Sequence, residues 1–324
     1  MNAMPRLLRL RRNETMRRMV RETVLRPDDF ILPLFVAKGA DVNRELGAIP
    51  GARLLSGGPL VEQAREARDL GIPAVLLFGV VDPAEKDDSG SAACRSDGAV
   101  QTATRLLKKH VPELAVITDL CLCEYTAHGH CGLLKNDEID NDLTVEALRQ
   151  AAVSQARAGA DVIAPAGMMD GVVGAIRSAL DEAGFPNVMT MPYSAKYASR
   201  LYGPFKTATH SRPAKSKHAT HLLDIANSRQ ALTKIGQDIA QGADMLIIKP
   251  ALTSLDIIAR AHDRFSIPIA AYDVSGSYNM VCAVTANDPN ERLHLMMEIL
   301  TCIRRAGADM IISYYSKEAA RFLA

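Results

Sequence analysis

The sequence predicts an α/β fold: a single (β/α)8 TIM barrel preceded by an extended N-terminal arm. Three observations carry this. Eight short apolar runs alternate with segments of helical periodicity, the order expected when a parallel sheet closes on itself. A phrase recurs three times, as Ala-Gly-Ala-Asp-Val-Ile at 158–163, Gly-Ala-Asp-Met-Leu-Ile at 242–247 and Ala-Gly-Ala-Asp-Met-Ile at 306–311. Each time a helix-like stretch ends at Gly and an apolar strand follows. Finally, no Gly-x-Gly-x-x-Gly follows the first apolar run, which leaves the open dinucleotide-binding sheet as the weaker alternative. A length of 324 residues suits one barrel.

The arm comprises residues 1–26. Within 1–21 it holds seven Arg and one acid, Glu14. It lacks the apolar core of a secretory signal, although an organellar transit peptide would have a similar composition. An exposed basic arm that cannot bury itself is expected to pack on a neighbouring subunit, giving a homo-oligomer. The barrel domain then spans 27–324. Its strands are expected at Ile31–Val36, Ala74–Phe78, Leu114–Leu120, Asp161–Pro165, Val188–Pro192, Asp244–Lys249, Ile267–Val274 and Asp309–Tyr315. Helices are expected at Pro59–Leu70, Gly98–His110, Thr144–Ala158, Gly171–Ala183, Ser228–Gln241, Thr253–Phe265 and Pro289–Ala306. Two connections, about 121–142 and 194–227, are too long for plain turns. Both follow strands, so both belong on the C-terminal face as lid segments over a site.

Composition narrows the function. A formal net charge of +1, 5% aromatic residues and no Trp argue against nucleic-acid binding. No apolar run approaches the ~18 residues that a membrane span needs. Six Cys are too sparse for a disulfide scaffold. Three of them crowd into residues 121–131, which points to a metal or catalytic site in a reducing, cytoplasmic setting.

Reactive residues cluster at the expected strand ends. Asp119 precedes Cys121 and Cys123; Lys196 follows the fifth strand; Lys249 ends the sixth. Tyr272, Asp273 and Ser275 end the seventh, and Tyr314 and Tyr315 the eighth. Lys249 closes the run Met-Leu-Ile-Ile-Lys-Pro, where an unpaired ammonium would be buried and so inclined to lose its proton. A neutral amine attacks ketones to form a Schiff base, and like-charge repulsion from Lys196 would favour that neutral form. Pairing to a barrel carboxylate is the alternative. Cys121, Cys123 and Cys131 suit zinc with a fourth position open; buried reduced thiols are the alternative. Cys282 and Cys302 read as core, and Cys94 is unassigned.

These residues sit in recognisable company. The segment Asp119-Leu-Cys-Leu-Cys-Glu-Tyr-Thr-Ala-His-Gly-His-Cys-Gly132 resembles the metal-site segment of the porphobilinogen synthase (δ-aminolaevulinate dehydratase) family. Tyr193-Ser-Ala-Lys196-Tyr-Ala-Ser, with Tyr202-Gly-Pro-Phe205, resembles that family's first lysine region, and Gly242-Ala-Asp-Met-Leu-Ile-Ile-Lys249-Pro its second. Arg17–Thr23 and Ile31–Val36 resemble its arm and first strand. The likeness runs from end to end. It implies dimers to octamers of a barrel that condenses two δ-aminolaevulinate molecules to porphobilinogen with loss of two waters. It further implies Schiff bases at Lys249 and Lys196, and proton transfer by Asp119 beside zinc. The carboxylate of the first substrate would be held by Ser275 and Tyr315, with Tyr272 in the same pocket. Tyr202 and Phe205 would belong to the lid.

The departures from the family pattern cluster around the second substrate. Lys206 and His218 stand where Arg is usual, and His221 and Leu222 replace Tyr and Gln. Ala166 and Gly167 replace Ser and Asp. Asp273 and Ser277 replace Gln and Glu, and Ser254 replaces Tyr. Lysine is a point charge where Arg offers a planar fork, so carboxylate capture should weaken. Two other functions therefore stay open. One is an impaired paralogue binding haem or another tetrapyrrole through lid His or the Cys triad. The other is a Schiff-base enzyme for a different keto acid.

Overall fold

The computed structural model describes residues 6–211 and 220–324. Eight parallel strands form the barrel: β1 Phe30–Val36, β2 Ala74–Gly79, β3 Ala115–Leu120, β4 Val162–Pro165, β5 in two pieces (Met189–Thr190 and Ala195–Lys196), β6 Leu246–Lys249, β7 Ile269–Asp273 and β8 Met310–Ser313. All seven residues of β1 and all six of β2 are buried, the continuous apolar pattern of a sheet covered on both faces. The ring closes through the divided β5. Its first piece pairs with β4 and its second with β6. Between them Met191 N and Tyr193 N donate to Ile163 O and Pro165 O, while Ile247 N donates to Pro192 O. Pro192 has no N–H, which interrupts the regular ladder without breaking the barrel.

The recurring Gly-Ala-Asp phrase has one structural meaning at all three sites. Gly159, Gly242 and Gly307 take φ of +100°, +96° and +110°, ending the preceding helix in a conformation that suits glycine. The Asp two residues on then grips the start of the previous strand or its first piece. Asp161 Oδ2 accepts from Val116 N at 2.7 Å, Asp244 Oδ2 from Thr190 N at 2.7 Å and Asp309 Oδ2 from Ile269 N at 2.9 Å. Each Asp also donates its own N–H to the carbonyl of that same residue. The first strand donors at the bottom of the barrel would otherwise lack partners.

Outer helices lie at Gly57–Asp69, Ala99–His110, Asn141–Arg157, Val172–Glu182, Arg229–Ala240, Leu255–Arg264 and Pro289–Arg305, within a few residues of the expected bounds. Two further helices, Ser275–Val284 and Ser316–Leu323, follow β7 and β8 directly. The Ser-Gly-Ser start of the first carries little helical signal, and both pack onto the barrel through Ser275 and Ser316, which are buried. Asn43–Glu45 and Arg53–Leu55 form a hairpin beside β1. The 121–142 connection is not structureless: Leu134–Lys135 and Glu138–Ile139 pair around Asn136 and Asp137, both at positive φ. In the arm, a short helix Glu14–Met19 leaves Leu7, Leu8, Leu10, Met19, Val20 and Val24 exposed. No described helix is long and apolar enough to cross a membrane.

Candidate active site

The strand ends bring the expected residues together. Lys196 and Lys249 are register partners on β5 and β6, and both are buried. Their surroundings differ. The Lys249 ammonium position lies 4.3 Å from the centre of the Tyr272 ring, 4.9 Å from Tyr202, 5.2 Å from Phe205 and 5.3 Å from Tyr193. Burial, helped by the charge of Lys196, lowers its pKa to about 7. Lys196 Nζ donates to Ala166 O at 2.8 Å. Burial opposes its charge too, but Cys131, Cys121, Cys123 and Asp119 outweigh that and hold its pKa above the ordinary lysine value. Asp119, on β3, accepts from Tyr193 Oη at 2.7 Å, and burial raises its pKa to about 6.

The cysteine loop follows Asp119. Thr126 Oγ1 donates to His130 O at 3.0 Å, and Gly129 turns at φ +70°, which returns Cys131 to Cys121 and Cys123. The three sulfurs lie within 4.8 Å of one another. Hydrogen bonds from Cys121 and Cys123 lower the Cys131 pKa well below that of a free thiol, so one thiolate is already favoured. A free-thiol cluster of this compactness and softness fits a tetrahedral metal with one position open. A second set, Asp119, Cys121 and Glu124, shares one sulfur with the first. Glu124 is buried beside Cys123 Sγ at 3.1 Å, and burial raises its pKa to about 7.

The lid enters over this floor. Tyr202 Oη donates to Lys249 O at 3.2 Å, and Phe205 N donates to Ser275 Oγ at 3.1 Å. Gly276 makes the approach possible, because a Cβ there would sit 2.5 Å from Leu201 O. Lys206 lies half-buried on the lid helix Gly203–Ala208. His221, in a turn where the lid returns to the barrel, lowers the Cys131 pKa through its charge and lines a cavity with Leu222, Met168 and Lys234. His218 lies outside the described residues.

One expectation is corrected. Tyr315 does not face the lysines: it is buried, and its hydroxyl donates to Tyr278 O at 3.1 Å. Both Tyr315 and its neighbour Tyr314 lie in the turn between β8 and the last helix, and it is Tyr314 that is directed toward Tyr272. The Tyr314 hydroxyl lies 3.3 Å from that of Tyr272, and its ring stacks on Phe35 with centres 6.2 Å apart. Two of the departures from the family pattern prove to be partners. Asp273, whose pKa burial raises to about 6, accepts from Ser277 Oγ as well as from Ser313 Oγ. Sequence reasoning assigned no role to Tyr193 or Glu124 and named Tyr314 only among the polar residues at the end of the eighth strand. Tyr193 lies three residues before Lys196 and Glu124 directly after Cys123, so position along the chain was the available signal.

Comparison with known proteins agrees with this geometry. The profile of the family described as delta-aminolevulinic acid dehydratase matches residues 4–322. A protein of that name from Synechococcus elongatus is 50% identical over 320 residues, covering 98% of both chains. One from Bacillus subtilis is 46% identical, covering 98% of this chain and 97% of that one. A crystal structure of delta-aminolevulinic acid dehydratase (porphobilinogen synthase) from Toxoplasma gondii, in complex with porphobilinogen, superposes with a TM-score of 0.96. It is 37% identical and covers 99% of this chain and 92% of its own. An end-to-end profile match, relatives at this identity and a shared barrel have a single reading: the chain belongs to the delta-aminolevulinic acid dehydratase family.

Proposed function

We propose that the protein condenses two δ-aminolaevulinate molecules to one porphobilinogen and two waters, with Lys249 and Lys196 each holding one substrate as an imine. The observation that carries this is Lys249: a buried amine with a pKa near 7, beside a second lysine that faces a thiol cluster. Neutral Lys249 attacks the keto carbon of the first substrate, and the carbonyl oxygen leaves as water. The cage of Tyr193, Tyr202, Phe205 and Tyr272 keeps bulk water from that imine. Ser275 and Tyr314 hold its carboxylate; Tyr314 takes the part first expected of Tyr315. Lys196, charged as it stands, gives up its proton before it can attack the second substrate. Asp119, in the same cluster, is placed to accept it once the negative charge at the cysteines that holds Lys196 protonated is neutralised.

Cys121, Cys123 and Cys131 would hold zinc, which supplies Lewis-acid polarisation of the second substrate. Lys206 would meet the second carboxylate. The arm, residues 1–26, would pack through its exposed Leu and Met side chains on a neighbouring barrel of the homo-oligomer. The altered second-substrate side slows capture rather than abolishing the reaction. No described residue favours the haem-binding alternative. Incubating the purified protein with δ-aminolaevulinate and assaying porphobilinogen by colour tests the reading. Product formation with trapping of Lys249 by borohydride is expected. Trapping without any product would overturn the two-substrate condensation.

A further inference from the structure

The rim of the site is built from two loops far apart in sequence, the cysteine loop after β3 and the lid after β5. The dipeptide Lys86-Asp87, in the loop after β2, touches both. Asp87 N donates to Tyr125 O, and Asp87 O accepts from Ala127 N at 2.9 Å, a one-residue bridge opposite Thr126 in the cysteine loop. The Asp87 carboxylate folds back onto Ser89 Oγ at 2.8 Å and Ser91 N at 3.0 Å, which fixes the turn. From this anchored backbone the Lys86 side chain crosses to the lid, and its Nζ donates to His210 O at 2.8 Å.

That carbonyl is where the lid needs a donor. The lid helix ends in a tight turn with His210 at φ +52°. Three earlier carbonyls have donors within the lid: Phe205 O from Thr209, Lys206 O from Ser211 N and Thr207 O from His210 N. Among the described residues, the His210 carbonyl receives its donor from Lys86, across the gap. A cation at a helix C-terminus is also favoured by the helix dipole. Burial works against the half-buried ammonium, while Glu124 and Cys123 favour it. The other end of the lid helix is already tied down by Tyr202 to Lys249 O and by Phe205 N to Ser275 Oγ.

We propose that Lys86 is the latch of the lid: anchored on the cysteine loop and bonded to His210 O, it holds residues 203–211 down over Lys249 and Lys196. It is a positioning residue. It governs how well Phe205 and Lys206 close on substrate, not the chemistry at Lys249. The proposal deepens the two-substrate reading and rests on it for its kinetic consequence alone.

The test uses full-length Lys86→Met, Lys86→Gln and Lys86→Arg. Amide hydrogen exchange of peptides spanning 203–211, without substrate, reads the latch independently of activity. Loss of a hydrogen bond from a charged donor should speed that exchange ~10-fold or more in Lys86→Met. Exchange in β6 and β7 should be unchanged, which also shows that the barrel remains folded. Lys86→Arg should stay within ~3-fold of the parent, because it keeps charge and reach. With δ-aminolaevulinate, Lys86→Met should raise KM ~10-fold and leave kcat within ~3-fold. If Lys86→Met does not fold, Lys86→Gln is read the same way. Unchanged exchange over 203–211 in a folded variant would overturn the latch. So would a fall in kcat at constant KM. An inactive parent protein would leave the exchange measurement to decide the latch alone.

Discussion

Two lysines occupy equivalent places on neighbouring strands, yet the barrel treats them in opposite ways. Lys249 is enclosed by four aromatic rings, and desolvation dominates, so its pKa falls to about 7. Lys196 is as deeply placed but sits beside the cysteine cluster and Asp119, and negative charge there, that of Cys131 foremost, holds its pKa above the ordinary lysine value. Residue type and strand position do not set reactivity; the balance of desolvation against neighbouring charge does. The difference also orders the reaction. The first amine is ready at neutral pH, and the second waits on a change in charge at the cysteine cluster.

The largest expected break in this comparison is Lys249→Met. Losing the first nucleophile should lower porphobilinogen formation by ~10^4-fold and abolish the borohydride adduct. Lys196→Met should stop product to a similar extent but leave the Lys249 adduct in place; peptide mass analysis separates the two. Trapping at Lys249 should follow the neutral amine. It should be weak below pH 7, half-maximal near pH 7 and greatest above it, since the folded-state pKa is lowered to about 7.

Cys123→Ala should remove the metal. Elemental analysis of protein purified without chelator should find one zinc per subunit in the parent and little in the variant.

A smaller effect sharpens the geometry of the first pocket. Tyr314→Phe should raise KM for δ-aminolaevulinate by ~10-fold through a lost bond to a carboxylate. Tyr315→Phe should leave kinetics unchanged and lower unfolding stability by about 1 kcal/mol, the worth of its bond to Tyr278 O. Equal kinetic effects of the two would restore Tyr315 to the site. The smallest change expected is a gain. Lys206→Arg with Gly167→Asp should lower the KM by a few-fold, read from initial rates. Gly167 has room, since a Cβ there meets nothing closer than Met169 Cε at 3.4 Å and its φ is not positive.

Much of this was legible in the chain. Eight apolar runs gave the strands because a sheet covered on both faces needs uninterrupted apolar side chains. The Gly-Ala-Asp phrase marked three helix-to-strand joints because the same backbone problem, an unpaired strand donor, was solved three times in the same way. Lys249 stood out because a charge ending an apolar run is costly. The helix at Ser275–Val284 was not legible, because its Ser-Gly-Ser start resembles a turn, and that at Ser316–Leu323 was missed because it is only eight residues long and follows the last strand directly.

By itself, then, the sequence determined the strand order, the two lysines, the cysteine cluster and the face of the barrel that carries them. These follow from local pattern and from where reactive residues interrupt it. Only the tertiary structure decided that Tyr314 rather than Tyr315 faces the site, that Asp273 and Ser277 are partners and that Lys86 spans two distant loops. It also decided that burial lowers the pKa of one lysine while neighbouring charge raises that of the other. Each of these depends on charges and surfaces brought together from separate parts of the chain, and electrostatics in a buried site acts through distance in space, not along the sequence.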